Sequence, residues 1–207
     1  MESAPESVPI VAPRGRSCRG LRTAEKGYFA KICLYRRAYI EEISRYFART
    51  ILEISEGAEC ADVEYTCGVP AEISGFEAVK SFYTDLLADS FKREAAAKMC
   101  LVGTQRDDLL FKVNARDARQ FASQGQQRSL AVALKLAEGD VLKREKGESP
   151  VFLLDDVLGE LDETRRTYIL SKMGDRQLIV TACERGEYAK RQGVSMIEAH
   201  GGCYRQI

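Results

Sequence analysis

Apolar residues at Tyr28, Ile32, Tyr35, Tyr39, Ile43, Tyr46, Phe47 and Ile51 recur at helical spacing and predict a long amphipathic helix over about 25–54. DVEYT (62–66) alternates like a short half-buried strand. Helical spacing returns through Phe76, Val79, Phe82, Tyr83, Leu86 and Leu87. The aromatics of both helices read as packing residues. Farther along, DLLFKV (108–113) reads as a strand, 121–125 as a polar loop, and 125 to about 143 as a helix. That helix has its stripe at Leu130, Ala133, Leu134, Ala137 and Val141. A buried strand at 151–155, a helix at about 162–173 and a second buried strand at 177–182 follow. A closing pair, VSMIEA and CYRQI, is joined through HGG, which suits a tight hairpin turn.

Strands alternating with helices predict an α/β unit with a partly parallel sheet, and the helical stretch before it predicts a separate subdomain. The expected division is a disordered leader (1–22), a helical subdomain (23–100) and an α/β half (101–207). The leader holds Pro5, Pro9, Pro13 and RGRSCRGLR, with little to bury; it reads as a solvated tail or as a basic arm for nucleic acid.

Composition narrows the partners. The 207 residues carry 31 Lys+Arg against 31 Asp+Glu, so no net field draws the chain to nucleic acid or to an acidic membrane. Seven cysteines without a CxxC pair argue against a zinc site and a disulfide framework. They read as reduced thiols, mostly core filler, in a cytoplasmic protein. No apolar run approaches the roughly 20 residues that span a bilayer, so no membrane partner is expected.

Two stretches carry chemistry. In SPVFLLDDVLGELDETRR, an apolar strand runs directly into Asp155 and Asp156, which places both carboxylates at the carboxyl edge of the sheet, where open α/β sheets bind ligands. If the extended conformation continues, the two side chains point to opposite sides. A divalent cation bridging phosphate oxygens would offset the desolvation of Asp155; the plainer alternative is a pair of aspartates at a strand–helix turn. In FASQGQQRSLAVALKLAE, Ser123, Gln124, Gly125 and Gln126 precede a helix, so a hydroxyl, side-chain amides and unpaired N–H groups converge at a positive dipole end. That suits a phosphate, although Ser123 could also be a simple helix cap.

SQGQQRSLAVALKLAE, PVFLLDDVLGELDETRR and RQLIVTA, in this order and spacing, closely resemble the C-terminal half of the bacterial RecF family, DNA replication and repair ATPases with an ABC-type, SMC-like head. The resemblance extends upstream through GTQRDDLLF and the helix RRAYIEEISRYFARTILEISEGAE, covering roughly 25–207. It implies an incomplete ABC-type (P-loop NTPase-like) head. Ser123, Gln124, Gly125 and Gln126 match the signature motif, which in a dimer caps the γ-phosphate of ATP held by the opposite subunit. Asp155 matches the Walker B aspartate that holds Mg²⁺, and Asp156 stands where most ABC ATPases carry the glutamate orienting the attacking water. Gly159, Glu160, Leu161 and Asp162 match the D-loop, and Thr181 the switch position, where many relatives have histidine. His200, the only histidine, matches no motif and reads as turn surface.

Two features depart from the family. Thr104 and Gln105 in GTQRDD replace the usual Pro and His. No Gly-Lys dipeptide occurs, so the phosphate loop GxxxxGK followed by Ser or Thr is not in this sequence. The expectation is a C-terminal fragment of a RecF-like protein, its sheet left with an open edge, that hydrolyses no ATP alone. The resemblance further implies ATP and Mg²⁺ as cofactors and an ATP-dependent homodimer. It also implies single-stranded or gapped duplex DNA and recombination mediator proteins as partners, in recombinational repair and the SOS response. The rival expectation is a non-catalytic module that dimerises with an intact relative. Another SMC-type head is disfavoured, because the helix before the signature is too short for a coiled-coil arm.

Overall fold

The computed structural model describes residues 18–172, 176–183 and 193–207; the expected leader lies largely outside them. Helix α1 (Cys18–Ile54) begins inside the span expected to be leader, so 18–22 are helical. It is followed by β1 (Ala61–Thr66), α2 (Phe76–Ala97), a 3₁₀ turn at Thr104–Arg106, β2 (Asp108–Val113), β3 (Arg116–Asp117) and α3 (Ala118–Phe121). Helix α4 (Gln124–Lys146), β4 (Phe152–Asp155), a 3₁₀ turn at Leu158–Glu160, α5 (Glu163–Lys172) and β5 (Leu178–Thr181) come next. The described chain closes with the hairpin β6 (Ile197–His200) and β7 (Cys203–Gln206). The expected polar loop at 121–125 is shorter than its composition suggested. Asp117 caps α3 by accepting the Arg119 N–H, and Ser123 already caps α4.

Two compact units form, and they do not follow chain order. The residues of α1 up to Arg36 group with Cys67–Asp107, and Arg37–Thr66 groups with 108–207. Strand pairing explains the second grouping: β1 lies antiparallel to β2 with Val63 opposite Phe111, which joins residues about 50 positions apart in one sheet.

In the first unit, Ala30 and Cys33 of α1 are buried, as are Val79, Tyr83 and Leu87 of α2. Phe29 packs on Tyr83 at 5.4 Å between ring centres. Tyr28 and Tyr35, expected on the apolar stripe, are exposed. The helix buries small residues on this stretch, and a stripe drawn through large side chains misses them. Lys98 ends α2 in the left-handed conformation, and the buried Glu94 carboxylate accepts the N–H groups of Leu101 and Val102. In the GTQRDD loop, Arg36 donates to the Thr104 carbonyl at 2.6 Å and pairs with Asp107 at 3.0 Å. Arg106 donates to the Cys100 carbonyl at 3.0 Å.

The second unit holds a continuous core. Ile43, Phe47, Ile51 and Ile54 of α1 meet Leu130, Ala133, Leu136, Ala137 and Val141 of α4, together with Phe152 and Leu154 of β4, Leu158, Leu161 and Ile169. At Gly139 a Cβ would lie 2.2 Å from the Phe152 ring, so α4 reaches β4 only through glycine there. Strands β4 and β5 pair in parallel, Phe152 to Leu178 through Asp155 to Thr181. The expected partly parallel sheet is present, as a two-stranded pair among the described residues. The thiols depart from expectation: Cys60, Cys100, Cys183 and Cys203 are exposed, because they sit at element ends and in the hairpin.

Glu53 of α1 is anchored by Lys172 (2.6 Å), the Tyr168 hydroxyl (2.6 Å) and Arg49 (2.7 Å). Hydrogen bonds from Lys172, Tyr168 and Arg49 lower its carboxyl to about 2. A depressed carboxylate contributes stability above its unfolded value and loses it as pH falls through the folded one. Glu53 should therefore stabilise fully above about pH 5 and lose on the order of 2 kcal/mol between pH 5 and 2. In urea titrations across that range, Glu53→Gln should flatten this acid limb; an unchanged limb contradicts the assignment.

Candidate functional site

The two faces of the β4–β5 pair are unlike. The expectation of two buried strands holds for one face only: Phe152 and Leu154 point into the core, whereas Val151, Leu153 and Ile179 are exposed at 51%, 70% and 53%. Alternation puts Asp155 and Thr181 at the carboxyl end of that same open face. Parallel strands are ordinarily covered on both faces. Among the described residues, this apolar face ending in a carboxylate is therefore one that a further segment would ordinarily cover.

Thr181 organises both acids. Its hydroxyl donates to the Asp155 carboxylate. The Asp156 N–H reaches the Thr181 carbonyl at 3.2 Å and hydroxyl at 3.1 Å. Asp156 does not continue the strand: its φ of 53° is left-handed, a conformation that aspartate tolerates better than most residues. The expectation of opposite-pointing side chains on an extended backbone is thus corrected, because the chain turns sharply after Asp155. Asp156 Oδ1 then lies 3.9 Å from the Cys183 sulfur.

Past the acids, Leu158 and Leu161 are buried and anchor the turn that carries Gly159 and Glu160. Asp162 accepts the Arg165 N–H at 2.9 Å at the start of α5. Arg166 donates to the carbonyls of Leu158 and Leu161, each at 2.9 Å, and Arg128 donates to that of Glu160 at 3.2 Å. Arg128 also pairs with the Glu160 carboxylate at 2.9 Å.

At the head of α4, Ser123 and Gln126 form a reciprocal capping box: Gln126 N–H to Ser123 Oγ at 3.2 Å, and Ser123 N–H to Gln126 Oε1 at 2.9 Å. The cap reading of this loop is met. Ser123 and Gln126 fix the turn, while Gln124 and Gly125 supply first-turn N–H groups that helix geometry leaves without intrahelical acceptors. Beneath the loop, Gln126 Nε2 donates to Glu59 at 3.2 Å, and Arg165 pairs with Glu59 at 2.8 Å and with Asp162 at 2.8 Å. Arg165 also donates to the buried Ser129 hydroxyl, which itself donates to the Gly125 carbonyl at 2.9 Å.

The structure thus joins the expected residues into two sets, Asp155–Asp156–Thr181 and Ser123–Gln126. The Gly159–Asp162 turn is tied to the second set through arginines. Sequence reasoning missed Glu59, Arg128, Ser129, Arg165 and Arg166. A signal existed for two of them: arginines in a helix's first turn oppose its dipole, so Arg165 and Arg166 needed another purpose. Glu59, 106 positions from Arg165, gave none.

Among the described residues, no helix is long and apolar enough to cross a membrane, and no group of three or more His, Cys, Asp or Glu could hold a metal by itself. Asp155, exposed at the end of β4 and held by the Thr181 hydroxyl, is a single carboxylate of the kind magnesium takes beside substrate phosphates and water.

No family model matches the chain. The DNA replication and repair protein RecF of Natranaerobius thermophilus is 39% identical over 164 residues, which are 75% of this chain and 42% of that protein. The chain accordingly spans about two fifths of that relative's length. A solved structure of the recombination mediator protein RecF with ATP, in the RecFOR pathway, superposes with a TM-score of 0.77 at 28% identity. The match covers 94% of this chain and 52% of that one. The SMC head bound to the C-winged helix domain of ScpA gives 0.50 at 16% identity, over 91% of this chain and 48% of the other, a likeness of fold alone. The fold is that of an ABC-type ATPase head, and the chain belongs to the RecF family, matching the C-terminal portion of its proteins.

Proposed function

We propose that this chain supplies the signature and Walker B side of a RecF-type ATP-dependent DNA replication and repair protein. The observation that carries the reading is the open β4–β5 face. Leu153 and Ile179 lie bare beside Asp155, where a segment bearing a phosphate loop would cover the apolar surface and bring nucleotide to the carboxylate.

Each residue then has a task. Asp155, oriented by the Thr181 hydroxyl, would be the carboxylate that holds Mg²⁺. Asp156, turned out of the strand and held by its N–H on Thr181, orients the attacking water and accepts its proton. Magnesium would supply charge that offsets what develops on the phosphoryl oxygens. The first-turn N–H groups of α4, at Gln124 and Gly125, cap a γ-phosphate held by the opposite protomer, and the Gly159–Asp162 turn lies along the dimer face. The assembled protein is an ATP-dependent homodimer acting on single-stranded or gapped DNA with recombination mediators. The name and setting of the RecF–ATP structure, and the family's repair role, support this part.

Phosphate release under Mg²⁺–ATP tests the reading. This chain alone should show none. Mixed with the phosphate-loop-bearing segment that precedes the matched region in a RecF relative, it should support turnover that neither part shows by itself. Turnover by the chain alone, or none in the mixture despite complex formation, overturns the proposal.

A further inference from the structure

The signature loop heads α4 and the D-loop turn precedes α5, yet they meet on one guanidinium. Arg165 reaches Glu59 through Nη2 (2.8 Å), Ser129 through Nη1 and Asp162 through Nε (2.8 Å). Its side chain is 15% exposed and that of Glu59 is 12% exposed. Glu59 Oε1 in turn accepts from Gln126 at 3.2 Å, and Gln126 is the residue whose other end holds the Ser123 N–H. A continuous chain of bonds, buried at its Glu59–Arg165 middle and charge-assisted from Gln126 onward, therefore runs from Ser123 through Gln126, Glu59 and Arg165 to Asp162. A second strap, Arg128 to both the carboxylate and the carbonyl of Glu160, spans the same two elements at the surface.

The fixed fork of a guanidinium lets one side chain meet three acceptors lying in different directions at once. Neither loop can shift without breaking a bond on that fork.

We propose that Glu59 and Arg165 are positioning residues that lock the signature loop and the D-loop turn into one rigid body, so that γ-phosphate capping and engagement of the opposite protomer occur together. The inference rests on the function proposed above for these loops. It adds two residues, neither touching nucleotide, through which the loops are coupled.

Hydrogen exchange on the chain itself, followed by turnover in the reconstituted mixture, tests the coupling. Glu59→Gln keeps an acceptor for Gln126 but removes the charge, and Arg165→Lys keeps the charge but loses the fork. In each variant, exchange at 123–129 and at 158–162 should rise together, about fivefold or more. In the mixture, turnover should fall at least tenfold with the KM for ATP unchanged, because the phosphate loop of the other segment is untouched. Arg128→Gln, at an exposed pair that the core does not depend on, should loosen both loops in the same direction by a smaller factor; it decides the matter if the buried variants do not fold. Loosening of one loop without the other, or a rise in KM with turnover intact, overturns the proposal. If the wild-type mixture is inactive, the functional reading fails, and the exchange measurements still decide the coupling.

Discussion

Asp156→Asn should lower ATP turnover of the reconstituted mixture by about 10²–10⁴-fold, the range expected when a positioned general base is lost. The substitution is nearly isosteric, and asparagine accepts the left-handed φ of 53° at least as well as aspartate. The backbone N–H on Thr181 is unaffected. The fold and the open sheet face should therefore survive, and so should ATP-dependent association with the phosphate-loop segment. On the proposed role, what is lost is a carboxylate able to take a proton from water. Phosphate release and sedimentation, measured together, check both halves: turnover should collapse while the complex persists. Unchanged turnover would remove Asp156 from the chemistry, and dissociation of the complex would make it a structural residue.

Arg165→Met should destabilise the chain by about 3–5 kcal/mol, because it leaves the Glu59 carboxylate in a largely buried place without its counter-charge. Methionine preserves much of the side-chain volume, so the loss isolates charge and hydrogen bonding from packing. Two polar groups lose a partner together: Glu59, left with Gln126 alone, and the buried Ser129 hydroxyl, left with the Gly125 carbonyl. The Arg165→Met and Glu59→Met double variant should recover part of that loss, since removing both ions costs less than stranding one. Urea unfolding of the two single variants and the double variant gives the answer. Additive losses would mean that the pair is not energetically coupled. By contrast, the exposed Arg119–Asp108 pair, at 2.7 Å and with side chains 61% and 52% exposed, contributes little through screening by water.

The elements with strong periodicity were legible in advance. DLLFKV is β2 at the residues expected, and the stripe Leu130–Ala133–Ala137–Val141 is the buried face of α4. The apolar strands at 151–155 and 177–182 became a parallel pair, as their unbroken hydrophobicity implied. Where the reading failed, local pattern met a nonlocal cause. Tyr28 and Tyr35 looked like core because they are large, but Ala30 and Cys33 carry the packing. The break in strand geometry at Asp156 comes from Thr181, 25 positions away, which holds the turned backbone by two bonds. The same holds for the division of the chain: 37–66 groups with the second half because β1 pairs with β2, a register that no window of sequence displays.

At the site, the residue types were legible and their mutual constraints were not. Ser123 and Gln126 were visible as polar residues before a helix, but their reciprocal cap appears only with the backbone in place. Asp162 was visible as the end of a motif, whereas its role as anchor for Arg165 depends on where α5 starts. Glu59 illustrates the limit most plainly. Nothing in EISEGAEC distinguishes it from a surface glutamate, and burial against Arg165 gives it significance.

The most direct test is hydrogen exchange on this chain with and without the phosphate-loop segment and Mg²⁺–ATP. The open β4–β5 face should become protected at 151–156 and 178–182 only when segment and nucleotide are both present, with Leu153→Asp abolishing that protection. If those amides exchange at the same rate in an assembled, ATP-hydrolysing complex, Asp155 does not face the nucleotide and the assignment of this sheet end as the catalytic edge is wrong.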